Sequence, residues 1–233
     1  MASLVNHGGS VSAFNRLSAL AERPTGTHTH APLSPRFPSP PPLTGDSLFD
    51  FMEPMDVREL EIPGLALIVA RRFCDKRGFF SETWSDRLFH ERVANVSFVQ
   101  DNQSVSAKKG TVRGLHFQKP PYTQGKLVRV VRGSIFDVAV DIRAGSPTYG
   151  QHVAVRLDAG EGAQLWVPAG FLHGFCTLED ETEVFYKVTN YYSPSHDAGV
   201  LWNDADLAIN WPVTADSVVI SERDQRLPRL RDL

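Results

Sequence analysis

Lys126-Leu127-Val128-Arg129-Val130-Val131-Arg132-Gly133-Ser134-Ile135-Phe136-Asp137-Val138-Ala139-Val140-Asp141-Ile142-Arg143 is the stretch that decides the fold. Phe136, Val138, Val140 and Ile142 alternate with Asp137, Ala139, Asp141 and Arg143, the period-two pattern of a half-buried strand. Gly133 splits this run from the one before it, which predicts a hairpin. Downstream, Val153, Val155 and Leu157 alternate with Ala154, Arg156 and Asp158 in the same way. Leu165-Trp166-Val167 runs into Pro168-Ala169-Gly170, a strand ending in a turn, and residues 183–189 alternate again. Only residues 85–94, with Leu88, Phe89 and Val93 on one side, predict a short helix. Many short strands punctuated by Gly and Pro every ~8–12 residues predict an all-β jelly-roll sandwich or barrel.

The first fifty or so residues read differently from the rest of the 233-residue chain. Pro32-Leu33-Ser34-Pro35-Arg36-Phe37-Pro38-Ser39-Pro40-Pro41-Pro42 offers few backbone donors and little to bury. Residues 1–54 are therefore expected to form a disordered Pro/Ser-rich leader, and residues 55–233 the folded domain, with Met55 opening a segment that reads as a natural N-terminus. The arginines and serines before Gly45, with Glu22 the single acidic residue there, only faintly suggest a transit peptide. No apolar run approaches the ~18 residues of a membrane span. A formal net charge of −3 argues against a nucleic-acid surface. Cys74 and Cys176 sit among apolar neighbours and are expected to be buried free thiols in a reducing cytoplasm.

No GxGxxG, P-loop or GxSxG motif is present, which removes most nucleotide-cofactor and acyl-transfer chemistry. Gly110 and His116 stand at the spacing that opens the first metal motif of many small β-barrels. The second histidine of that motif is Gln118, and no glutamate follows. One imidazole and an amide make a poor offer to a divalent ion. His116 is better suited to carry a proton, since imidazole titrates nearest neutrality.

Val99-Gln100-Asp101-Asn102, then Arg113-Gly114-Leu115-His116-Phe117-Gln118, then Gln124-Gly125-Lys126-Leu127-Val128-Arg129 resemble the dTDP-4-dehydrorhamnose 3,5-epimerase family. So do residues 136–143, Gly145-Ser146-Pro147-Thr148-Tyr149-Gly150, residues 166–175 and residues 186–194. The likeness spans about residues 56–232, with the motifs in the family's order. It implies a metal-free cupin jelly roll, usually a homodimer, acting on a dTDP-4-keto-6-deoxy sugar without a cofactor. Members of the family invert the carbons on either side of the C4 ketone.

That chemistry needs a base on one face of the sugar, an acid on the other, and positive charge at the ketone oxygen where an enolate develops. By the resemblance, His116 is the base, Asp224 the carboxylate that orients it, Tyr186 the opposing proton donor, and Lys126 the ammonium near the C4 oxygen. The same likeness implies substrate contacts at Arg77, Glu82, Gln100, Asp101, Asn102, Arg113, His173 and Arg223. Asp197 stands where many members carry a glutamate, one methylene longer. Tyr191 or Tyr192 is expected to stack on the base. His90, His152 and His196 are read as surface residues. Two other functions fit the same residues: an epimerase that inverts one carbon only, and a non-enzymatic cupin that binds a sugar nucleotide.

Overall fold

The computed structural model describes residues 55–233, so the expected leader lies outside the described residues. The strands in chain order are β1 Met55–Glu59, β2 Ala66–Ala70, β3 Phe73–Asp75, β4 Gly78–Phe80, β5 Gln100–Ser106, β6 Thr111–Gln118 and β7 Lys126–Arg132. They continue with β8 Ser134–Asp141, β9 His152–Asp158, β10 Ala163–Val167, β11 Phe171–Thr177, β12 Thr182–Val188, β13 Asp197–Gly199 and β14 Val219–Ile220. Two short helices, α1 Asp86–Arg92 and α2 Glu222–Gln225, and a terminal 3-10 turn complete the domain. One sheet runs β1-β2-β10-β7-β12-β5, and the other β13-β6-β11-β8-β9, with β14 added in parallel to β6. The all-β jelly-roll sandwich expected from the alternation is what forms, and α1 falls within the predicted helix.

The expected hairpin at Gly133 does not form. β7 pairs with β10 and β12, whereas β8 pairs with β9 and β11 in the other sheet. Gly133, at φ +76°, passes the chain from one layer to the next. A side chain there would also meet Thr182 Oγ1 at 2.6 Å. A left-handed residue between two β runs is compatible with a hairpin or a corner, and only the pairing partners decide which.

β8 is not half-buried either: seven of its eight residues are buried, on both faces. Ile135 and Ala139 face the sandwich interior, where they join Val128, Val130, Leu165, Phe171, Phe175 and Val184 in the main core. Val138 and Val140 pack outward against Val200 and Leu207 of the C-terminal segment. The same segment brings Trp202 and Trp211 over Val112 and Cys176. The other sheet is covered on its outside by α1, whose Phe89 is 1% exposed among Trp84, Phe98 and Trp166. Asp141 caps the inner end of β8, taking Arg143 in a forked ion pair together with Ser146 and Thr148. The Gly145–Gly150 motif is thus a structural corner built on a buried carboxylate.

Of the two cysteines, only Cys176 is buried; Cys74 is exposed on the β3–β4 hairpin, because that hairpin projects Phe73, Phe79 and Phe80 outward as well. Both are free thiols. No helix among the described residues is long and apolar enough to cross a membrane.

Candidate active site

A cavity of about 550 Å³ borders the apolar core and shares Phe175 with it. Arg113, His116, Lys126, His173, Tyr186, Arg223 and Asp224 line it. An adjoining lobe of about 220 Å³ shares His116, Lys126, Tyr186 and Arg223 and adds Gln100, Asn102, Tyr192 and Asp197. Strand parity explains which residues gather here. On β5, Gln100 and Asn102 point inward with Ser104, and Asp101 between them points out to an ion pair with Lys187. On β12, Tyr186 shares its inward face with buried Val184 and Val188.

The two walls carry different chemistry. Arg113 and His116 project from β6 and His173 from β11, one sheet; Lys126 and Tyr186 project from β7 and β12, the other. His116 and His173 are direct cross-strand partners. Between them the chains approach so closely that a Cβ on Gly114, at φ +133°, would lie 2.5 Å from the Gly174 Cα. Glycine is therefore required for the imidazoles to stand side by side.

His116 Nε2 lies 2.8 Å from Asp224 Oδ1, which leaves Nδ1 as the nitrogen able to take a proton. Asp224 is delivered by α2, where the N-cap Ser221 hydroxyl accepts from the Asp224 N–H at 3.1 Å. Burial opposes ionisation of Asp224, but the hydrogen bond and charge of His116, the Gly114 N–H and Arg223 together hold it below the usual carboxylate range. It is thus a carboxylate, 5% exposed, accepting from the imidazole. Burial pulls the Lys126 ammonium down to about 8, against the opposing charges of Asp137 and Asp197. Its surface is only half-buried, but what it faces is the cavity between the sheets. Burial also raises the Tyr186 phenol, with Arg113 acting the other way.

At the mouth, Asp197 accepts from the Tyr192 hydroxyl at 2.9 Å and pairs with Arg223 at 2.7 Å. Tyr192 therefore borders the cavity, whereas Tyr191 is 62% exposed and does not line it. Arg77 and Glu82 stand apart from the rest. Arg77 pairs with Asp75 on the β3–β4 hairpin, and Glu82 borders a small cleft beside α1. The sequence reading missed Asp137 and Ser104. Asp137 is fully buried and bonds His173 Nε2 at 2.7 Å; Ser104 lines the cavity with a buried, unpartnered hydroxyl. The inward parity of Gln100 and Asn102 was enough to find Ser104. No group of three or more His, Cys, Asp or Glu placed to hold a metal ion exists among the described residues.

A jelly-roll sandwich that sets a carboxylate-backed imidazole on one wall and a phenol and an ammonium on the other belongs, as a class, with enzymes that move protons on and off a bound substrate. The particular family follows from comparison with known proteins. A family model described as dTDP-4-dehydrorhamnose 3,5-epimerase matches residues 59–232. The dTDP-4-dehydrorhamnose 3,5-epimerase of Sinorhizobium fredii is 52% identical over 182 residues, covering 78% of this chain and 93% of the relative. The crystal structure of the Bacillus anthracis dTDP-4-dehydrorhamnose 3,5-epimerase with TDP and PPi bound superposes with a TM-score of 0.73 at 50% identity, covering 76% of this chain and 99% of that one. The Legionella pneumophila dTDP-6-deoxy-D-glucose-3,5-epimerase, in complex with dTDP-4-keto-L-rhamnose, gives 0.73 at 42% identity, covering 76% and 93%. This chain belongs to the dTDP-4-dehydrorhamnose 3,5-epimerase family.

Proposed function

We propose that this chain epimerises dTDP-4-dehydro-6-deoxy-D-glucose at C3 and C5 to give dTDP-4-dehydro-L-rhamnose. The carrying observation is that His116 with Asp224 and Tyr186 with Lys126 line one cavity from opposite sheets. His116 Nδ1 takes the proton from the carbon beside the ketone, and Asp224 stabilises the imidazolium that forms. Lys126 offsets the charge on the enolate oxygen. Tyr186 returns a proton to the other face of the carbon. Substrate and product have the same oxidation state, so the chemistry asks for no redox partner. Arg113, His173 and Arg223 suit the diphosphate and sugar oxygens, and Gln100, Asn102, Asp197 and Tyr192 the nucleoside end of the cavity.

Two further expectations belong to the same reading. The exposed Phe73, Phe79 and Phe80 form the kind of apolar patch that a second copy of the chain covers, giving a homodimer. Arg77 and Glu82, on and just after that hairpin, would then reach substrate only across such an interface, and Asp101, turned outward to its ion pair with Lys187, does not line the cavity of its own chain. Free thiols and a sugar-nucleotide substrate fit the cytoplasm.

Incubation with the 4-keto substrate in deuterium oxide, followed by proton NMR, tests the function. Loss of the C3 and C5 proton signals with formation of the L-sugar is the expected result. Label at one carbon overturns double inversion, and binding without any exchange leaves a sugar-nucleotide binding protein.

A further inference from the structure

Asp137 is the anomaly of the described interior. It sits on the inward face of β8 at 0% exposure, gives one oxygen to His173 Nε2, and leaves Oδ2 buried with no hydrogen-bond partner. An uncompensated buried carboxylate oxygen is costly, and for stability alone an asparagine would hold the imidazole at less expense. The charges around Lys126 show what the carboxylate adds. Lys126 faces Arg113 and His116 of β6, His173 of β11, Tyr186 of β12, Asp197 of β13, and Arg223 and Asp224 of α2. Asp224 is committed to His116, and Asp197 to Arg223 and Tyr192. Asp197 makes both contacts through Oδ2, whereas Asp137 is the carboxylate acting on Lys126 whose free oxygen is buried with no hydrogen-bond partner.

We propose that Asp137 is a positioning residue of this site: one oxygen fixes the ring of His173, and the negative charge keeps Lys126 an ammonium facing the substrate. The inference rests on the epimerase reading and deepens it. Its physical content is electrostatic. Burial works against the Lys126 charge, and Asp137 is the larger of the two charges opposing that loss. Near pH 8 the lysine is poised, so removing one neighbouring charge turns off much of the ammonium where the enzyme still has to work.

Asp137→Asn separates the two roles, because the amide oxygen still accepts from His173 Nε2 while the charge is gone. In that variant the alkaline limb of kcat is expected to move down by about one pH unit or more, so that activity at pH 9 falls about tenfold while activity at pH 6 stays within about twofold. NMR titration of the chain labelled with ¹³C-lysine reads the same shift at Lys126 directly, without turnover. An alkaline limb and a lysine titration that move by less than about 0.3 units overturn the proposal. If that variant does not fold, Asp137→Ala removes the same charge without leaving an amide to satisfy, the lysine titration reads it, and a shift under about 0.3 units overturns the proposal. If the natural chain exchanges no substrate protons at any pH, the epimerase reading fails while the lysine titration still judges the electrostatic claim.

Discussion

Replacing Asp224 with asparagine isolates the contribution of one charge to the base. The Asp224 carboxylate is 5% exposed and lies 2.8 Å from His116 Nε2, so solvent does little to screen the pair. A hydrogen bond to a charged group contributes about 1.5–3 kcal/mol. The attraction grows when His116 becomes an imidazolium, and two unit charges about 4 Å apart at an effective dielectric near 20 interact by about 4 kcal/mol, an upper bound. Taking about 3 kcal/mol as lost from the transition state, kcat for proton exchange at C3 and C5 falls about 100- to 200-fold. The binding groups Arg113 and Arg223 are untouched, so KM is expected to change by less than about threefold. The assay is the rate of disappearance of the substrate C–H signals in deuterium oxide at saturating substrate. A folded Asp224→Asn chain that exchanges within about fivefold of the natural rate refutes the argument, because His116 would then need no carboxylate. The same substitution has a pH signature. The folded state holds Asp224 below the ordinary aspartate value, so the unfolded chain binds more protons in that window. The stability it contributes is complete above about pH 4 and is lost as pH falls through the depressed value. Thermal melts between pH 6 and pH 3 should therefore fall more steeply for the natural chain than for the variant.

Tyr186→Phe should bind substrate normally and slow formation of the L-sugar more than tenfold, about 1.4 kcal/mol or more, while washout of substrate protons by His116 continues; unchanged product formation would reduce the phenol to packing. Asp141→Asn strands Arg143 at the buried end of β8, and a loss of about 3 kcal/mol in urea unfolding is expected with exchange per folded molecule unchanged. Gly114→Ala places a methyl 2.5 Å from backbone and should give little folded protein, and a folded, active variant would show that the two histidine strands need not approach so closely.

How much of this was legible without coordinates depends on the range of the interaction. β9, β10, β12 and α1 could be read because side-chain alternation and helical spacing are local properties of the chain. His116, Asp224, Tyr186 and Lys126 could be named through the resemblance of their segments to the family, although nothing local says that residues 116 and 224 share a hydrogen bond. The errors fall where partners come from far away. Gly133 looked like a hairpin turn and is a passage between sheets, because β7 and β8 each find better partners elsewhere in the chain. The alternation in β8 suggested a solvent face, yet the face carrying Asp137 and Asp141 is interior, since a histidine on β11 and an arginine on the following loop meet those carboxylates. The sequence by itself determined the strands, their periodicity and the residue types available for moving a proton. Only the tertiary structure decided which faces became inside and which charges were left without partners, because burial and pairing are set by segments a hundred residues apart and not by a residue's own neighbours.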